Sequence, residues 1–439
     1  MSRGIAIAVA ALIALRFIAG AVLPLSADEA YYWLWSKRLA AGYYDHPPAI
    51  AYLIRAGTVL FGRTSFGVRF VPLLLSLPTT WFVWRSAKLL TGDEAAGASA
   101  TLFFNLMLMT AVETMAATPD APLIAASAMF LWTLAELQAT EDGRWWIAAG
   151  AAGGLALLSK YTAFFLGAGA LAWILFTREG RRWLASPWPY LGAALALAIF
   201  SPNVWWNASH HWETFVFQFG RVGAGHFTLR YLAEFLAAQL LLASPVILYL
   251  GIRGTTRSAL LAALAMLPVV FFAVHSLHDR VQGNWPCFLY PMLAVAAALA
   301  PPTRLRRTAA PVAALMLLLA YAQVHFDVIS LGRRDPASRL LGFGVAKAVQ
   351  AAERQQPVAV LTTDYETTAW FSFYGDVPVF QVNEPERGLG GHPAPGRKLY
   401  VAETTRDRHA LVPGSKALGP VDRARNGRTL ATYVRYVVP

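Results

Sequence analysis

Two adjacent carboxylates, Asp28-Glu29, follow directly on an apolar stretch, and fifteen residues later comes Tyr43-Tyr44-Asp45-His46-Pro47-Pro48. A carboxylate at a helix end facing a cavity can take a proton from a hydroxyl or bind a metal. The prolines of the second motif fix an extended turn, so Tyr44, Asp45 and His46 are presented together. Carboxylate beside imidazole suits a divalent ion, which makes Asp45 and His46 the candidate metal ligands; no other cofactor is indicated. Glu113 and Thr118-Pro119-Asp120 add two further acids. Cations come from Lys160, in Ser159-Lys160-Tyr161, and from Arg280, which is followed by Gln282, Asn284 and Trp285. Lys160 and Arg280 could clamp a phosphate. Each feature also has an ordinary reading: adjacent acids can open a solvated loop, and a lysine at a helix end can simply snorkel. Taken together, carboxylates and fixed cations suit one substrate with an anionic leaving group and another with a hydroxyl to deprotonate.

These groups need a scaffold, and composition says what kind. Of 439 residues 56% are hydrophobic and 14% charged, with a mean hydropathy of +0.45. A soluble domain of this size needs a charged exterior, so the solvent of this chain is mostly lipid. The formal charge of +12 does not form one patch. It recurs in short clusters between apolar stretches, as in cytoplasmic loops facing anionic lipid, and this argues against a nucleic-acid partner. The lone Cys287 excludes an internal disulfide and a cysteine-based metal site.

Apolar segments near 5–25, 68–90, 95–112, 120–139, 145–159, 161–177, 187–201, 230–252, 258–275, 286–300 and 308–326 predict about eleven transmembrane helices. The first is long enough to span, and Leu25-Ser26-Ala27 is a poor cleavage site, so a retained helix is expected rather than a signal peptide. With the N-terminus cytoplasmic, Arg85 and Lys88, Arg144, Arg178, Arg181 and Arg182, Arg253 and Arg257, and Arg304, Arg306 and Arg307 all fall inside, as the positive-inside rule asks. The candidate chemistry then falls outside, in 26–67, 113–119, 201–229, 276–285 and everything beyond about 327. Aromatic-rich amphipathic pieces, one around Tyr31, Trp33, Trp35 and Leu39 and one over Ala49–Leu60, are expected to lie along the bilayer surface. Trp205, Trp206, Trp212 and Phe215 repeat the theme in the loop 201–229.

Fifteen of the 37 Lys+Arg and ten of the 25 Asp+Glu fall in the last 110 residues, so this part meets water. Strands are predicted at Pro357–Thr362, Val377–Val382, Lys398–Ala402 and Leu430–Val437, with a helix over Pro336–Arg354 and another beginning near Tyr365. The expected division is a transmembrane domain over 1–328 and a small soluble α/β domain over 329–439.

Asp-Glu after the first helix, Tyr-Asp-His-Pro-Pro, Thr-Pro-Asp between the third and fourth helices, and Asn-Trp-Pro with Tyr-Pro over 284–291 resemble the polyprenyl-phosphate-dependent glycosyltransferases. These are the bacterial relatives of protein O-mannosyltransferases and of lipid A aminoarabinose transferases, with the membrane fold called GT-C. The resemblance covers roughly residues 1–300 and is strongest over 26–125. It implies a polyprenyl-phosphate sugar donor and transfer at the periplasmic face of the bacterial inner membrane, to a glycolipid such as lipid A or lipopolysaccharide, or to a protein. It implies Asp28 as the main catalytic carboxylate and Asp120 as a supporting one, with Glu29 beside them. Aminoarabinose transferases usually carry Lys where this chain has His46, which leaves the phosphate to Lys160 or Arg280, and eleven helices rather than thirteen set the chain apart from them.

The physical logic runs alongside. Displacement at an anomeric carbon needs a base for the incoming hydroxyl and charge neutralisation for the departing phosphate, and a single in-line step inverts the centre. Two other classes fit the sequence less well. A transporter would show matched halves and charge at the midplane, where only Arg16 fits. A membrane scaffold presenting the tail would ignore the loss of Asp28.

Overall fold

The computed structural model describes residues 2–220, 226–384, 387–405 and 414–438. The chain divides into two compact units. One comprises Met1–Gly20, Ala41–Leu53 and Arg69–Ala320; the other comprises Ala21–Ala40, Ile54–Val68 and Tyr321–Pro439.

In chain order the helices begin with α1 (Arg3–Val22), α2 (Ala27–Ser36), α3 (Ala49–Phe61), α4 (Ser65–Thr91), α5 (Glu94–Leu106), α6 (Leu108–Glu113) and α7 (Asp120–Thr140). Then come α8 (Trp145–Ser159), α9 (Phe164–Phe176), α10 (Arg178–Arg181), α11 (Trp188–Ser209), α12 (Glu213–Phe219), α13 (Arg230–Ala243), α14 (Pro245–Thr255), α15 (Ala259–His275), α16 (Tyr290–Leu299) and α17 (Arg306–Phe326). By length and composition α1, α4, α7 and α17 can each cross a membrane, with mean hydropathy between 1.3 and 2.5. Among the described residues, two bent pairs raise that number to six if each is one span: Tyr161–Phe176 with Arg178–Ala185, bent by 95°, and α13 with α14, bent by 97°.

Several expected spans are broken, for identifiable reasons. The segment 95–112 is interrupted at Met107, whose backbone turns extended (ψ 134°) between α5 and α6. Carbonyls freed at such a break need partners inside an apolar medium. The Thr110 hydroxyl donates to the Phe104 carbonyl, and Arg16 Nη2 donates to the Asn105 carbonyl at 2.7 Å. Arg16 is 1% exposed, and the contact fastens α1 to α5. The segment 230–252 breaks at Ser244 (φ 68°), where Pro245, lacking an N–H, can only start a new helix. The expected loop at 201–229 is helical up to Ser209, so Trp205 and Trp206 ride on α11; its residues 221–225 lie outside the described residues.

The second unit is built on a five-stranded sheet. Its strands are β1 (Ala359–Thr362), β2 (Val379–Gln381), β3 (Lys398–Glu403), β4 (Lys416–Arg425) and β5 (Arg428–Val438). The order is β2-β1-β3-β5-β4: β1 is parallel to β2 and β3, and β5 is antiparallel to β3 and β4. The helices α18 (Pro336–Leu340), α19 (Val345–Glu353) and α20 (Tyr365–Tyr374) accompany it. The single helix expected over Pro336–Arg354 is therefore two. Gly344, between them, has φ +77°, a left-handed backbone that interrupts the helix, and a Cβ there would collide with the Ala424 carbonyl, so the position takes glycine.

The N-terminal segment of this unit is tied to its C-terminal part at Leu25. The Leu25 N–H donates to Tyr374 Oη at 3.0 Å, and its carbonyl accepts from the Gly342 N–H at 2.9 Å and Trp370 Nε1 at 3.2 Å. Arg63 binds Asp376 at 2.6 Å and the Gly375 carbonyl at 2.9 Å. Helix α2 packs on α20: Tyr31 meets Tyr365 (ring centroids 5.2 Å), and Trp33 meets Phe373 edge-on (5.1 Å). This corrects the expectation that α2 lies on the bilayer surface, because Tyr31, Tyr32, Trp33 and Trp35 are all buried by protein. In α3, by contrast, Tyr52, Val59 and Leu60 stay exposed while Ile50, Ala51 and Ile54 are buried, leaving an apolar side for lipid.

Candidate active site

Each unit carries a polar cluster built on residues singled out from sequence. In the first, Asp120 opens α7 directly after Pro119, where the helix N-terminus favours negative charge. Its carboxylate is 2% exposed and accepts three bonds. Lys160 Nζ reaches Oδ1 at 2.7 Å, Asn284 Nδ2 reaches Oδ2 at 2.8 Å, and Cys287 Sγ donates to Oδ1 at 3.1 Å. Lys160 arrives because α8 ends at Ser159 and the chain turns extended (φ −158°, ψ 141°) before the next turn of helix. Asn284 and Cys287 come from the segment ahead of α16. Glu113, which accepts from the Thr118 hydroxyl at 3.4 Å, lies within electrostatic reach of Lys160. Three residues singled out from sequence, Asp120, Lys160 and Asn284, thus meet.

Others do not join them. The Arg280 guanidinium is largely exposed and pairs with Glu234 at 3.0 Å. Trp285 stacks on His275 (5.9 Å) and tilts against Phe272 (6.4 Å).

The turn at 43–46 belongs to the same unit and is held from α12. The Tyr43 N–H bonds the His46 carbonyl at 3.2 Å, closing the turn. Thr214 Oγ1 donates to the Tyr43 carbonyl at 2.8 Å, Gln218 Nε2 donates to the Asp45 carbonyl at 2.6 Å, and Tyr44 packs against Phe217 (4.8 Å). Asp45 is 8% exposed. Among the described residues no group of three or more His, Cys, Asp or Glu side chains could hold a metal ion, so Asp45 and His46 gain no third protein ligand.

In the second unit, Asp28 and Glu29 divide their roles. Glu29 completes a capping box: the Ser26 N–H donates to Glu29 Oε2 at 2.8 Å, and the Glu29 N–H donates to Ser26 Oγ at 3.2 Å. It is 1% exposed and engaged in starting α2. Asp28 is partly exposed and accepts from Tyr365 Oη at 3.1 Å. Burial, and then the Asp28 carboxylate itself, push the Tyr365 hydroxyl well above the ordinary tyrosine range. The Arg387 guanidinium lies 4.6 Å from the Tyr365 ring centre and 5.7 Å from that of Tyr31, and bonds Glu384 at 2.8 Å.

Sequence reasoning missed Cys287, Gln218, Tyr365 and Arg387. The one readable signal was Asp364, whose side chain caps the Thr367 N–H at 2.8 Å and so makes Tyr365 the first residue of α20.

Comparison of these helices and this α/β unit with solved structures identifies the fold. The structure of ArnT from Cupriavidus metallidurans bound to undecaprenyl phosphate matches this chain with a TM-score of 0.68 at 16% identity, covering 100% of this chain and 98% of that one. The fold is therefore GT-C. Residues 45–206 match the family described as dolichyl-phosphate-mannose-protein mannosyltransferase. In sequence the chain is 28% identical over 278 residues to the lipid A galacturonosyltransferase RgtD of Rhizobium johnstonii, across 60% of this chain and 58% of that protein. It is 29% identical over 202 residues to the lipopolysaccharide core galacturonosyltransferase RgtA of the same organism, across 45% and 40%. The chain thus spans somewhat over half the length of the first relative and two fifths of the second.

Proposed function

We propose that this chain is an inverting glycosyltransferase of the bacterial inner membrane, moving a sugar from a polyprenyl-phosphate donor to a hydroxyl of lipid A or lipopolysaccharide. Asp28 takes the proton of the acceptor hydroxyl, the acceptor oxygen bonds to the anomeric carbon, and the bond from that carbon to the phosphate oxygen breaks as polyprenyl phosphate departs. Asp120 is a supporting carboxylate that fixes Lys160. Lys160 and Arg280 are the cations for the donor phosphate, and Tyr44, Asp45, His46, Glu113, Asn284 and Trp285 contact substrate.

The observation carrying most weight is the 278-residue likeness to a lipid A galacturonosyltransferase; the full-length fold likeness to a protein solved with undecaprenyl phosphate supports the donor class. Galacturonic acid is accordingly the first sugar to test. Eleven crossings, a cytoplasmic N-terminus and a periplasmic tail complete the reading, supported by the positions of the basic clusters. A second reading, a protein hydroxyl as acceptor, is favoured by the family match over 45–206.

The test compares lipid A, core oligosaccharide and periplasmic protein by mass spectrometry from cells with the gene, without it, and with Asp28→Asn. A glycolipid mass that disappears in the last two supports the proposal. Label on protein alone moves the acceptor to the second reading, and transfer unaffected by Asp28→Asn removes the assigned base.

A further inference from the structure

Asp28 sits in the first turn of a short helix, and a side chain from far along the chain reaches it. Tyr365 Oη donates to Asp28 Oδ1 at 3.1 Å across 337 positions of sequence. The ring bearing that hydroxyl is held on two sides, by Tyr31 (centroids 5.2 Å) and by the Arg387 guanidinium (4.6 Å), which Glu384 anchors. Asp364 caps the helix that carries it. We propose that Tyr365 is a positioning residue for glycosyl transfer, its hydroxyl orienting the Asp28 carboxylate that takes the proton of the acceptor hydroxyl. This rests on the reading of Asp28 as the base.

A hydroxyl donor to a carboxylate favours its charged form. The hydroxyl resists ionisation, and the donor therefore persists throughout the working range. Among the described residues, the titratable and charged groups around this contact include Glu29 and Tyr31 from α2, Glu366 from α20, and Arg387 with Glu384 from the segment after β2. Any shift seen on altering Tyr365 must exceed what those unchanged neighbours allow.

The experiment uses the full chain in native membranes, with undecaprenyl-phosphate galacturonic acid and lipid A as probes, and reads kcat/KM against pH for wild type, Tyr365→Phe and Asp28→Asn. Tyr365→Phe keeps the ring beneath Arg387 and removes one charge-assisted hydrogen bond. Its kcat/KM at neutral pH should fall about tenfold through lost alignment of the carboxylate, and the acid limb should be displaced to higher pH. In the Asp28→Asn background the same substitution should change nothing further. An acid limb that coincides with wild type overturns the inference, whatever the absolute rate. If Tyr365→Phe fails to fold, 3-fluorotyrosine at 365, a stronger donor, decides: the limb should move to lower pH, and an unmoved limb overturns the inference. An active Asp28→Asn would sink the base assignment itself, whereas an inactive Asp28→Asn with an unmoved Tyr365→Phe profile would sink only the role of Tyr365.

Discussion

Lys160 and Asp120 stand forty positions apart in sequence and 2.7 Å apart in space, and both side chains are almost wholly buried. Removing one member of such a pair strands a charge, which costs about 3–5 kcal/mol. Lys160→Met and Asp120→Asn should each sharply shorten the folded half-life in detergent, and the double variant should lose less than the sum. That cycle can be followed by size-exclusion retention after timed heating. Strictly additive losses would mean that the pair is not coupled.

Glu29 and Asp28 are neighbours with separable jobs. Glu29→Ala breaks the capping box and should cost roughly 1 kcal/mol of stability while leaving kcat within a few-fold of wild type. Asp28→Asn should lower transfer by about a hundredfold or more with stability little altered. Thermal midpoints and initial rates on the same preparations distinguish the two. Equal kinetic damage from both changes would assign Glu29 to the chemistry as well.

Alkaline stability should register Tyr365. Below the ordinary tyrosine value of 10.0 its hydroxyl is protonated in folded and unfolded chains alike. Above it the unfolded chain releases the proton while the folded chain retains it, so folding loses stability as pH rises. The thermal midpoint of wild type should therefore fall more steeply between about pH 9 and pH 11 than that of Tyr365→Phe. Parallel curves would contradict the buried environment of this hydroxyl.

Gln218→Ala should loosen the turn at 43–46 by removing the 2.6 Å bond to the Asp45 carbonyl. The loss is about 1 kcal/mol, and with Tyr44, Asp45 and His46 assigned to substrate it should appear mainly in KM for the donor. Steady-state kinetics at varied donor concentration would expose an unchanged KM.

Much of this architecture was legible in the chain. Apolar runs marked where helices lie, because lipid demands long stretches of one character. The meeting of Asp120, Lys160 and Asn284 followed from placing three motifs on one face. What hid was local or very distant. Strand β4 alternates weakly, and its one clear sign was Asn426-Gly427 (φ 48° and 77°), the residues of a tight hairpin. The break at Met107 has no proline or glycine to announce it. Tyr365, a partner of Asp28, lies 337 residues away, and no periodicity reaches that far. The aromatic face of α2 looked like a lipid-facing one because tryptophan and tyrosine serve both settings equally well.

The bonds at Leu25 bear on biogenesis. Gly342, Trp370 and Tyr374 hold the backbone just ahead of Asp28, yet the ribosome makes them more than three hundred residues after it. The amino terminus enters the bilayer early and waits there without its braces. On the reading of Asp28 as the base, a chain cut ahead of Gly342 should give no transfer even where it reaches the membrane, because the contacts that hold Leu25 are then missing.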